Sequence, residues 1–124
     1  MAPGKHCGAG SSALTIDPFG NVYPCVQWRV PSGSLHEASI AGIWSGSAAL
    51  ERVRRQTGEV KDSLAAYGAD APLLNFCPGI AASQGGSPLA VYAGATLRAE
   101  LLREVQAERR KAIPLRVLTE VSSR

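Results

Sequence analysis

Aromatic residues are scarce, at 6% Phe, Trp and Tyr, and there are only three cysteines. An odd and small cysteine count argues against a disulfide framework and for reduced thiols, so a cytoplasmic setting is expected. No paired C-x2-C knuckle occurs, the usual frame of structural zinc. No apolar run reads as a membrane span or a signal peptide, which sets aside a membrane partner. A Ser/His/Asp constellation and a paired-acid motif are also missing. Gly85-Gly86-Ser87 follows no convincing strand and reads as a hinge and cap rather than a phosphate cradle. The net charge is a modest +3. Arg98, Arg103, Arg109, Arg110 and Lys111 are interleaved with Glu100, Glu104 and Glu108, which favours a solvated helix face over a phosphate-binding stripe, so no nucleic acid is expected as partner.

At 124 residues and 45% apolar content, one small domain is the default, and thirteen glycines point to a loop-rich fold with a thin core. Its clearest local signal is CGAGSSALTIDPFGNVYPC, Cys7 to Cys25. Ala13–Asp17 and Asn21–Cys25 are short β-prone runs, and Asp17, Pro18, Phe19, Gly20 and Asn21 supply turn chemistry between them, so a β-hairpin is expected. Gly20 can take the positive φ that closes it. Folding the hairpin carries the approach to Cys7 towards Cys25. The third thiol, Cys77, sits in Asn75-Phe76-Cys77-Pro78-Gly79, where Pro78 and Gly79 suggest a tight turn. Thiolates are the preferred ligands of soft metals and iron–sulfur clusters.

The C-x12-G-x4-C spacing of Cys7, Gly20 and Cys25, the wording Gly-Asn-Val-Tyr-Pro-Cys, a helix opening over Ser39–Trp44 and the late Cys77-Pro78-Gly79 resemble the SPASM/twitch domain of radical S-adenosylmethionine enzymes. The resemblance covers roughly Cys7 to Gly86. It implies an α+β fold, a small N-terminal β-hairpin followed by several α-helices. It also implies that Cys7, Cys25 and Cys77 hold an auxiliary [4Fe-4S] cluster, with an electron-transfer or substrate-docking role and a peptide or protein as substrate. Two departures follow. The C-x3-C-x2-C motif of the family's barrel is absent, so S-adenosylmethionine would enter only through a radical SAM barrel in a missing segment or a separate chain. With three cysteines a second cluster is out of reach and the first lacks one ligand. By itself this chain would not be catalytic.

Residues 1–86 are accordingly expected to form the SPASM/twitch-like domain, 87–112 a helix packed on it or on a missing barrel, and 113–124 a tail. Pro31 to Ser34 should break the chain after Trp28, which caps the core or the cluster. Ser39 is an N-cap for Ile40, Ile43 and Trp44. Ser47 starts a second helix with Leu50 and Val53 inward and Glu51, Arg52, Arg54 and Arg55 outward. Gly58 is expected to end it, with Val60, Leu64 and Tyr67 on a short third helix stopped at Gly68. Ala69–Asn75 returns the chain to Cys77, and Ala81–Gly86 reads as loop. Ser87-Pro88 is a helix start, with Leu89, Tyr92, Ala93, Leu97, Leu101 and Val105 as an apolar stripe that packs on the hairpin and first helices or faces a barrel. The helix should reach Ala112, stopped by Pro114, and Leu115–Val121 has weak β character. The segment 72–86 has little to hold it except Cys77, so cluster binding is expected to order it.

Two other readings of the thiols stand beside the cluster: a small zinc-binding interaction module, and a metal-free adaptor in which each cysteine is a buried apolar residue. His6 and His36 are the nitrogen candidates for a fourth ligand, although each reads more readily as an ordinary surface or core histidine.

Overall fold

The computed structural model describes residues 5–84 and 86–111. Along the chain come β1 (Thr15–Ile16), β2 (Asn21–Tyr23), β3 (Gly33–Ser34), α1 (Ile40–Gly46), α2 (Ala48–Ala65), a 3-10 turn (Gly68–Asp70), α3 (Ala71–Leu74), α4 (Pro78–Ser83) and α5 (Ala93–Lys111). The class is α+β, with one antiparallel sheet in the order β1-β2-β3 ahead of the helices.

The hairpin forms where expected, with Thr15 opposite Tyr23 and Ile16 opposite Val22. Asp17 shapes its turn. One carboxylate oxygen accepts from the Phe19 and Asn21 amides, each at 2.9 Å, and the other from the Asn21 side chain at 2.9 Å and the Tyr23 hydroxyl at 3.2 Å. Gly20 takes φ +82 to close it. Gly33 and Ser34 do more than break the chain, because they pair with β2 as a third strand, Asn21 opposite Ser34. A ladder is made by backbone groups, so a stretch with no β-prone side chains can still extend one.

Ser39 and Ser47 cap α1 and α2 as read from the sequence, accepting from Gly42 N and Leu50 N. The expected stop at Gly58 does not occur, and α2 runs through it to Ala65. Leu50, Val53, Thr57, Val60 and Leu64 are all buried on one side of that single helix. Glycine in a helix costs about 1 kcal/mol relative to alanine, less than such a stripe contributes through burial. This helix is the spine of the fold: Leu50 packs with Val22 and Ile43, Val53 with Ala9 and Trp28, and Val60 and Leu64 with Leu74, Phe76, Ala95 and Ala99.

Four later expectations change. Residues 69–75 hold the 3-10 turn and α3, and the presumed loop from Ala81 is α4 as far as Ser83. Ser87-Pro88 opens a turn rather than a helix: Ser87 accepts from Leu89 N and Ala90 N, and Leu89, Val91 and Tyr92 tuck against the core before α5 begins at Ala93. Finally, α5 packs on α3 through Ala95 and Ala99, leaving Leu97, Leu101 and Val105 at 55%, 52% and 49% exposure. Small residues let the helices approach closely, and Arg103 grips Asp70 with two hydrogen bonds of 2.9 and 2.7 Å beside that seam. The expected continuation to Ala112 and the β character of Leu115–Val121 lie outside the described residues. Among the described residues, no helix is long and apolar enough to cross a membrane.

Candidate metal centre

Each cysteine lies on a different local structure, and three contacts tie those structures together. Gly10 donates its N–H to Pro24 O at 3.0 Å, joining the Cys7 turn to the residue before Cys25. His6 Nε2 lies 2.8 Å from Phe76 O, joining the residue before Cys7 to the residue before Cys77. Gly79 presses on the chain after Cys25: a Cβ built on it would stand 2.9 Å from Trp28 N and 3.0 Å from Gln27 C. Every one of these contacts falls within three residues of a cysteine at both ends. The fold therefore draws the neighbourhoods of Cys7, Cys25 and Cys77 to one region beside the middle of α2.

The electrostatics agree with that placement. Burial pushes the Cys7 thiol up, a hydrogen bond with the Ala9 backbone acts against this, and the charges of Cys25 and Cys77 raise it further. All three are free thiols and partly buried. Cys7 and Cys25 pack against Ala9, Trp28 and Val53. Trp28 is itself buried, 5% exposed, and its backbone N–H donates to Cys25 Sγ at 3.2 Å. Cys77 occupies the N-cap position of α4 but does not use its side chain to cap it.

Among the described residues, no group of three or more His, Cys, Asp or Glu side chains is gathered as a single ion would require. A single tetrahedral zinc draws its sulfurs to about 3.8 Å from one another, given bonds of about 2.3 Å. Thiolates around a four-iron cube stand further apart, at about 6 to 7 Å. Cys7 lies within electrostatic reach of both other thiols. The donor set fits as well, being all sulfur and half-buried.

Both histidines are occupied elsewhere. His6 donates its backbone N–H to Thr57 O at 2.9 Å while its ring meets Phe76 O, and His36 Nε2 lies 2.9 Å from Phe19 O at the tip of the hairpin. They clip loops to the fold. Arg54, expected to point outward, instead donates from Nε to Gly10 O at 2.6 Å and from its terminal nitrogen to Trp44 O at 2.7 Å. It holds the Cys7 turn against α2. The available signal was its position four residues after Leu50 and three before Thr57, at the edge of the buried stripe. Gly79 carried no such signal.

Residues 7–67, just under half the chain, match the family model of SPASM, an iron-sulfur cluster-binding domain. Cys7 and Cys25 lie inside that segment and Cys77 beyond it. No curated protein and no solved structure matches the chain.

Proposed function

On the premise that residues 7–67 belong to the SPASM family, we propose that Cys7, Cys25 and Cys77 hold an auxiliary [4Fe-4S] cluster serving a radical SAM enzyme. The observation that carries this reading is the set of contacts, Gly10 to Pro24, His6 to Phe76 and Gly79 to Trp28, between residues flanking the three cysteines. The bound cluster supplies a one-electron store. The chain supplies thiolates, the buried Trp28 and an N–H donor to Cys25 Sγ.

The partner is a radical SAM barrel, on this polypeptide or another, and S-adenosylmethionine binds there. The exposed face of Leu97, Leu101 and Val105 on α5 is an apolar surface it could cover. The substrate in this reading is a peptide or protein, and the cavity of about 250 Å³ lined by Gln27, Trp28, Arg29, Gly79 and Ser83 is the concave surface we assign to part of it. The setting that goes with an odd and small cysteine count is a reducing, cytoplasmic one.

Anaerobic reconstitution followed by iron, sulfide and zinc analysis tests the reading. Four irons and four sulfides per chain are expected, with each of Cys7→Ala, Cys25→Ala and Cys77→Ala lowering the yield, since the site has no spare thiolate. Zinc without sulfide, or a Cys77→Ala variant that loads like the parent, would overturn it.

A further inference from the structure

The cluster reading needs two ligand turns, from distant parts of the chain, to meet in one geometry. Gly79 stands where they meet. Its backbone lies against Gln27 and Trp28 so closely that an added Cβ would come within 2.9 Å of Trp28 N, 3.0 Å of Gln27 C and 3.0 Å of Trp28 Cβ. Real Cβ atoms essentially never approach backbone that closely, and Gly79 is itself buried in α4. The atom crowded most is the nitrogen that donates to Cys25 Sγ at 3.2 Å. Gly79 also lies two residues after Cys77, so the contact couples one ligand's turn to the hydrogen bond on another ligand.

We infer that Gly79 is a positioning residue for the metal centre, one that seats the Cys77 turn on the Cys25 turn and preserves the Trp28 N–H to Cys25 Sγ bond. The inference rests on the cluster reading above. A donor aimed at a ligand sulfur stabilises negative charge there, and reduction adds negative charge to the cluster, so the bond favours the reduced state. Any side chain at 79 must push Trp28 away from Cys25 or Cys77 away from the site. The first consequence lowers the midpoint potential and the second lowers cluster uptake.

The test compares the full chain, reconstituted anaerobically, with Gly79→Ala and with Gly58→Ala, the latter at a helical glycine with nothing within 4 Å of an added Cβ. Iron and sulfide per chain, circular dichroism and an EPR-monitored redox titration are read for each. Gly79→Ala is expected to keep the helical spectrum, take up less iron and titrate at lower potential, while Gly58→Ala matches the parent in uptake and potential. A parent chain that takes up no cluster overturns the cluster reading and this inference with it. A parent that loads normally beside a Gly79→Ala protein of equal uptake and potential overturns this inference alone. Where Gly79→Ala does not fold, a backbone ester at residue 28, which deletes the N–H and adds no atom, decides the matter. It is expected to shift the potential downward, and an unshifted potential overturns the inference.

Discussion

The Asp17 carboxylate braces the hairpin turn, and the Asn21 side chain is the main cause that holds its pKa below the ordinary carboxylate value, followed by the Asn21 and Phe19 amides and the Tyr23 hydroxyl. A carboxylate favoured in the folded chain stabilises it above the unfolded pKa, near about 3.9, and that contribution is lost as pH falls through the lower folded value. The Phe19 and Asn21 amide resonances should therefore move together as pH drops below about 4. In Asp17→Ala the step should vanish; an identical acid profile there would assign it to another group. Arg54 works by the same economy, one side chain serving two carbonyls, Gly10 O and Trp44 O. Hydrogen bonds to charged groups are each worth about 1.5 to 3 kcal/mol, so Arg54→Ala is expected to lose about 2 kcal/mol in urea unfolding, with the Cys7 turn loosened first. A loss under about 0.5 kcal/mol would mean that water replaces the guanidinium at little cost.

At the scale of elements, the hairpin and both serine caps were legible because each depends on a few neighbouring residues. Asp17 with Asn21, Ser39 with Gly42 and Ser47 with Leu50 are all such local pairs. Gly58 and Ser87-Pro88 were misread for the opposite reason. Their local signals favour a break and a start, and tertiary packing overrides both: the buried stripe of α2 runs on through Gly58, and Leu89, Val91 and Tyr92 gain more by entering the core than by joining a helix. The candidate site was legible as three cysteines but not as a geometry, because Gly79 and Arg54 act on backbone distant in sequence. Gly58 offers a direct check on the helix. With helical neighbours on both sides and open space around an added Cβ, Gly58→Ala should stabilise the protein by about 0.5 to 1 kcal/mol and raise its melting temperature. A destabilised variant would mean that the chain bends at residue 58, as the sequence alone suggested.

Over the whole molecule, α2 divides the support of the candidate site unequally. On one side Leu74, Phe76 and Ala81 are buried against Val60, Leu64, Ala95 and Ala99, so the Cys77 turn has apolar anchors of its own where the sequence offered little besides Cys77. On the other side, Ala9 is the one buried apolar side chain between Lys5 and Ala13, and the Cys7 turn is otherwise held by hydrogen bonds from His6, Gly10 and Arg54. Local opening is easiest where few apolar contacts must break, and a ligand that binds only the closed form suppresses that opening by mass action. Cluster loading should therefore slow hydrogen exchange at the His6 and Gly10 amides, whose acceptors are Thr57 O and Pro24 O, far more than at the Ala81 amide of α4. Exchange measured on apo and reconstituted protein distinguishes the two sides directly. If Ala81 gained the greater protection, the Cys77 side would be the one ordered by the cluster, and the apolar anchors of α3 and α4 would be insufficient to hold that turn without it.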